Sequence, residues 1–260
     1  MPTTFFGWVF FLIEKYGSLF ASGTAMTLLV AITGTLFGFI IGLLVAIVRS
    51  IQLANGASIV KRALVKAADV LLNVYIQVFR GTPMIVQAMV IFYGLSSSLG
   101  ITLDRTAAAI FIISINTGAY MAEIIRGGII SVDKGQFEAA HAIGMTHWQT
   151  MTTVVLPQAI RNILPSVGNE FIVNIKDSSV LNVISVSELF FQAKSAAGTY
   201  YRYFEVYFIV AVIYLVLTLT ISRILRYIEK RMDGPDNYVI YGSQSDSRAQ
   251  IVVHEGKEAK

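Results

Sequence analysis

The stretch "GSLFASGTAMTLLVAITGTLFGFIIGLLVAIV", residues Gly17–Val48, runs without a single charged side chain. A helix needs about 20 mostly apolar residues to cross a hydrocarbon layer some 30 Å thick. This run supplies that length with residues to spare, and the reading places the crossing at Ala25–Val48. Within it, Gly34, Gly38 and Gly42 recur every fourth residue. Such a row lies on one helix face and admits a second helix at close range. The pattern alone leaves open whether that helix belongs to the same chain or to a partner.

Composition extends the same conclusion to the whole chain. Of 260 residues, 55% are hydrophobic and only 14% are charged, against roughly 25% charged in soluble domains. Mean hydropathy is +0.66. The net charge of +4 is read as a determinant of membrane topology rather than a nucleic-acid footprint. There are no cysteines, which excludes disulfides and thiolate metal sites. His141, His147 and His254 are scattered, and none stands at metal-ligand spacing from a carboxylate. The opening "MPTTFFGWVFFLIEK" lacks a basic leader and a small-residue cleavage site. Residues 1–23 are expected to form an extracytoplasmic or interfacial segment, with Trp8 and its phenylalanines at headgroup depth.

Further crossings are expected at Met84–Leu103, Ala107–Ala122, Ile163–Ile184 and Val206–Ser222. Ile59–Phe79 carries Lys61, Arg62, Lys66 and Asp69. It is read as an amphipathic elbow entering the second crossing at Arg80-Gly81-Thr82-Pro83, with Arg80 an interfacial anchor. Basic residues gather after the first, third and fifth crossings. The positive-inside rule puts those ends in the cytoplasm. The expected fold is an all-α polytopic membrane protein with about five transmembrane helices, N-terminus outside and C-terminus inside. The transmembrane unit spans 24–231, a cytoplasmic connection occupies about 127–161, and a polar tail covers 232–260.

That connection contains "EAAHAIGMTHWQTMTTVVLP", Glu138–Pro157. Glu138–Ile143 reads as a short helix. Gly144 permits a bend, and Thr146 can cap a second helix bearing Trp148, Met151 and Val155. Pro157 and Pro165 punctuate the approach to the fourth crossing. Residue physics alone leaves two readings: a hairpin packed under its own bundle, or a docking element.

The order Glu138-Ala139-Ala140, Gly144, Val154, Leu156-Pro157 resembles the EAA loop of bacterial ABC importer permeases, with valine where isoleucine is usual. "FRGTPMIVQ" (Phe79–Gln87), "AYMAEIIRGGI" (Ala119–Ile129), "LPQAIRNILP" (Leu156–Pro165) and "IKDSSVLNVISVSEL" (Ile175–Leu189) look like the polar amino-acid branch. The resemblance covers about Thr24 to Arg231. It implies a permease subunit in a bacterial cytoplasmic membrane. Glu138, Ala139, Ala140 and Gly144 would seat in a groove of a partner ATP-binding subunit. An extracytoplasmic amino-acid-binding protein and a second permease copy or paralogue would complete the assembly. The sequence holds no Gly-x-x-x-x-Gly-Lys-Ser/Thr phosphate loop. This chain is therefore expected to carry no cofactor and to catalyse nothing, with ATP and Mg²⁺ on the partner.

The fourth crossing is charged, which is costly in a bilayer. At 100° per residue, Glu170, Asn174 and Asp177 fall within about 60° of one another, with Lys176 elsewhere. Asp177 could receive an α-ammonium group and Glu170 a cationic or amide side chain. The substrate carboxylate would need a cation, or backbone donors where the helix breaks at Asp177-Ser178-Ser179. A structural network with Lys176 is the alternative. Asn116 and Gln87 are further candidates, either lining the path or bonding a neighbouring carbonyl. Glu123 and Arg126 read as a local pair near the gate. A different class, a secondary transporter or channel using Glu170 and Asp177 as ion sites, has no use for an ATPase dock.

Overall fold

The computed structural model describes residues 2–51 and 58–232, and these are helical with short connections. The long apolar run folds as α1 (Phe5–Arg49), a single helix of 45 residues. At 1.5 Å per residue it is about 67 Å long, more than twice the hydrocarbon thickness. Thr4 caps its start by accepting from the Gly7 N–H at 3.2 Å. Arg49 closes its last turn, where a cation complements the helix dipole.

The glycine row settles its own question. Gly34, Gly38 and Gly42 lie against Ile113, Thr117 and Met121 of α4 (Arg105–Ile130) in the same chain. A Cβ on Gly38 would stand 2.6 Å from the Thr117 methyl. Both sets advance by four residues, so α1 and α4 run parallel in register. Parallel neighbours require the intervening chain to return across the layer.

That return is made by α2 (Ile59–Gly81) and α3 (Met84–Leu99), joined at a 113° bend. Thr82 is extended (φ −123°, ψ 146°), as a residue before proline prefers. The break therefore falls within the Arg-Gly-Thr-Pro segment, as expected. The second crossing itself is corrected. Helix α3 has only 16 residues, about 24 Å, and stops where Gly100 turns left-handed (φ +65°). The supposed elbow is part of the bundle: Leu72, Tyr75 and Ile76 of α2 pack with Ile41, Val45 and Ala122.

The remaining elements are α5 (Lys134–Ala142), α6 (His147–Gln149), a π-helical turn (Thr150–Val155), α7 (Leu156–Asp177), a 3₁₀ segment (Ser178–Ile184), α8 (Leu189–Tyr200) and α9 (Tyr203–Met232). Gly128 meets Ile163, whereas Thr117 meets Asn174, so α7 runs antiparallel to α4. Phe5 of α1 packs on Phe204 and Phe208 of α9, and both helices lead away from that end. Directions thus alternate as α1, α2–α3, α4, α7, α9: five passes. By length and apolarity α1, α4 and α9 qualify as spans alone and α2–α3 as a bent pair. The charged α7 is carried by its neighbours.

The N-terminal segment is also corrected. Residues from Phe5 onward are not a separate interfacial helix but the outer half of α1. Trp8 is 4% exposed, between Phe11 and Tyr200 with the Arg202 guanidinium 4.6 Å from its ring. Val9, Leu12 and Phe20 join Leu189, Ala193 and Val206 in one core. The helix continues unbroken through Glu14 and Lys15, and its first turns are held by α8 and α9. Residues 233–260, nearly the whole expected tail, and His254 lie outside the described residues.

Candidate functional site

The connection between α4 and α7 is built by local rules. Asp133 caps α5 by accepting from the Gly135 N–H at 2.6 Å. After Ile143 the chain turns at Gly144 (φ +84°), a backbone state that L side chains with a Cβ disfavour. Thr146 and Gln149 then form a reciprocal capping box, with Gln149 N–H donating to Thr146 Oγ1 at 3.3 Å and Thr146 N–H to Gln149 Oε1 at 2.9 Å. Thr-x-x-Gln is the sequence signature of that box.

The second helix does not stop at the prolines. It runs on through the π-helical turn into α7, passing Pro157 and Pro165. A proline ring clashes with the carbonyl four residues earlier. The wider π turn, ending at Val155, gives Pro157 its room. The expected two-helix loop is therefore α5 set against the N-terminal extension of the fourth crossing.

Glu138 and Ala139 are exposed, while Ala140 is buried and its carbonyl accepts from the Met145 N–H at 3.1 Å. Ile143 and Trp148 are 79% and 75% exposed. His141 and His147 lie on the surface. The outward face thus combines the Glu138 carboxylate, the small Ala139 and Ala142, two histidines, the Gly144 bend and two large apolar side chains.

The five intramembrane candidates divide into two groups. Asn174 is 2% exposed. Its Nδ2 donates to Thr35 Oγ1 at 2.8 Å and its Oδ1 accepts from Thr117 Oγ1 at 3.1 Å. It ties α7 to α1 and α4. Gln87 Nε2 donates to the Phe79 carbonyl (2.9 Å), the Thr82 carbonyl (2.9 Å) and Thr82 Oγ1 (2.8 Å). Its Oε1 accepts from Asn116 Nδ2 at 2.9 Å. Gln87 and Asn116 thereby satisfy backbone groups freed by the α2–α3 bend, the second of the two expected arrangements. These three amides hold helices in place.

Glu170 and Asp177 behave differently. Each is half-buried, and neither has a hydrogen bond or ion pair within 4 Å among the described residues. Lys176 is exposed and also makes no ion pair among the described residues. The expected helix break is corrected: α7 tightens into the 3₁₀ segment, and the Ser178 N–H donates back to the Asn174 carbonyl. It is a helix C-terminus and offers no row of free donors.

Below Glu170 is a cavity of about 410 Å³ between α2, α4 and α7, lined by Arg80, Tyr120, Glu123, Ser131, Asn162 and Ser166. Glu123 is its hub. It accepts from Arg126 at 2.8 Å, as expected, and from Arg49 at 2.9 Å. Arg49 also reaches Asp69 at 3.3 Å and Asn73 at 2.7 Å. Sequence reading missed Arg49, whose partners are 20 to 74 residues distant. It also missed Glu188, fully buried and capping α8 through the N–H groups of Phe190 (2.8 Å) and Phe191 (2.6 Å). The Tyr214 hydroxyl bonds the same carboxylate at 3.3 Å.

The fold is a multi-pass helical bundle with carboxylates that are unpaired among the described residues and an exposed helix–turn element between α4 and α7, an architecture suited to a membrane transport subunit. Residues 53–234 match the family described as binding-protein-dependent transport system inner membrane component, and the chain belongs to that family. It is 39% identical over 217 residues to the glutamine transport system permease protein GlnP of Escherichia coli (strain K12), covering 82% of this chain and 93% of the other. It is 35% identical over 214 residues to the arginine transport system permease protein ArtQ of Bacillus subtilis (strain 168), covering 82% and 92%. The crystal structure of an amino acid ABC transporter with histidines superposes with a TM-score of 0.77 at 41% identity, covering 89% of this chain and all of that one. Inward-facing MetNI methionine ABC transporter shares the fold, with a TM-score of 0.65 at 21% identity.

Proposed function

We propose that this chain is the permease subunit of an ATP-driven importer of a polar amino acid, with Glu170 and Asp177 receiving the cationic groups of the substrate. The observation that carries this reading is the pair of half-buried carboxylates on α7 that have no partners among the described residues. A carboxylate withheld from water is costly unless a cation completes it, and a transported solute can be that cation. The relatives named for glutamine and arginine support an amino-acid substrate, and two carboxylates favour a basic one.

Coupling is assigned to the exposed face of α5 and the turn after it. Glu138 offers a charge to a basic residue of the ATPase, Ala139 allows close approach, and Gly144 fixes the angle. Ala140 acts from beneath, closing the turn. ATP and Mg²⁺ are bound by that partner in the bacterial cytoplasmic membrane. A binding protein delivers substrate outside, near Asp104–Arg105 and Ser185–Arg202, and a second copy or paralogue completes the path.

The test is ATP-driven uptake in proteoliposomes holding the assembled transporter. Glu170→Gln is expected to lower uptake of arginine at least tenfold more than uptake of glutamine. Equal loss for both, at normal assembly, would remove Glu170 from the substrate site.

A further inference from the structure

The carboxylates on α7 account for the cationic end of an amino acid and leave its α-carboxylate without a partner. The helix break that could have supplied backbone donors is closed, because the Ser178 N–H is taken by Asn174. The amides of Asn174, Gln87 and Asn116 are engaged with one another or with backbone and threonine groups. A cation must therefore come from elsewhere: Lys176 opens onto a different pocket, with Ser179, Phe190 and Tyr207, whereas the cavity below Glu170 contains Arg80.

On α7, Asn162, Ser166 and Glu170 follow at intervals of four and lie on one face. Asn162 and Ser166 line the cavity, so the face that carries Glu170 leads directly into it. On the opposite wall Arg80 stands at the α2–α3 junction, its side chain 44% exposed. Its guanidinium carbon is 5.4 Å from the Tyr120 ring centre, which orients it across the cavity. Its contact with Glu123 is long, 3.9 Å, whereas Arg49 and Arg126 occupy Glu123 at 2.9 and 2.8 Å. Three arginines here face two carboxylates, Glu123 and Asp69. The cluster has one positive charge over, and Arg80 is the member least committed to a partner.

We propose that Arg80 binds the α-carboxylate of the substrate at the inner mouth, so that the amino acid lies between Glu170 and Arg80 with its carboxylate toward the cytoplasm. This rests on the amino-acid reading above and extends it. Glu170 then discriminates among side chains, while Arg80 recognises what all α-amino acids share. A guanidinium fork suits a carboxylate because two parallel N–H donors match its two oxygens. Between turnovers Glu123 holds Arg80 loosely, keeping it available.

The experiment is equilibrium binding to the purified permease–ATPase complex in lipid nanodiscs, without the binding protein, so that the membrane site alone is read. The probes are arginine against agmatine and glutamine against 4-aminobutanamide, each pair differing only by the carboxylate. The wild-type complex is expected to prefer the carboxylated member of at least one pair by roughly tenfold or more, the scale of a charge-assisted hydrogen bond. Arg80→Gln should shrink that preference to about twofold or less, and Glu170→Gln should leave it in place. Glu123→Gln, which frees Arg80, should keep or raise it. Arg80→Lys serves if the Gln variant does not assemble, and should retain only part of the preference. A full preference in Arg80→Gln or Arg80→Lys would overturn the proposal. Equal loss in Glu123→Gln and the Arg80 variants would do the same, since Arg80 would then be only a structural latch. If none of the four compounds bound the wild-type complex, the amino-acid reading itself would fall and this proposal with it.

Discussion

Asn174 and Glu170 stand one helical turn apart on α7, yet the fold gives them opposite tasks. Asn174 is enclosed by Thr35 and Thr117, whereas Glu170 has no partner among the described residues. Asn174→Leu would leave the buried Thr117 hydroxyl without its acceptor, while Thr35 keeps its bond to the Ala31 carbonyl, and is expected to cost about 1–3 kcal/mol. A lower melting temperature of the purified complex, with the arginine-to-glutamine uptake ratio unchanged, is the expected result. A changed ratio at unchanged stability would return Asn174 to the substrate site. Helical periodicity placed Glu170, Asn174 and Asp177 on one face and was right about the face. It could not show that the middle residue is covered by two other helices, because burial depends on neighbours more than fifty residues away in the chain.

Among elements, the α1–α4 pair depends on absent side chains. Gly38→Val would drive its Cβ into Thr117 at 2.6 Å, against backbone that cannot retreat without separating the helices. Overpacking of this kind typically costs about 1–3 kcal/mol and sometimes more. The variant should reach the membrane at reduced level and unfold earlier on heating, whereas Gly17→Ala, where nothing stands within 4 Å, should be neutral. The cytoplasmic turn offers a second test. Thr146→Ala removes a cap worth about 1 kcal/mol and should weaken ATPase co-purification less than Glu138→Arg, which reverses an exposed charge at the docking face. The glycine row, the bend before Pro83 and the capped turn were legible because each is a local rule written in adjacent residues. The unbroken passage of the cytoplasmic helix through Pro157 was not. A proline ordinarily signals a stop, and only the preceding π turn makes room for it.

At the scale of the whole molecule, the outer half of α1 clamps α8 and α9 through Leu12, Leu189 and Val206. Removing residues 1–20 is expected to lower thermal stability by several degrees while leaving ATPase co-purification intact, because the docking element lies at the other end. The class and most of the crossings could be read from the sequence because hydropathy is summed over long windows. The union of the N-terminal segment with the first crossing could not, since whether two helices fuse depends on what packs beside them. The close seat of Ile163 against Gly128 has a mechanical consequence. A second seat lies about 16 Å further along α7, where Asn174 is held between Thr35 and Thr117. Gripped at two points by α4, the stretch that carries Glu170 resists tilting on its own, so any displacement of α4 carries Glu170 with it as one rigid piece.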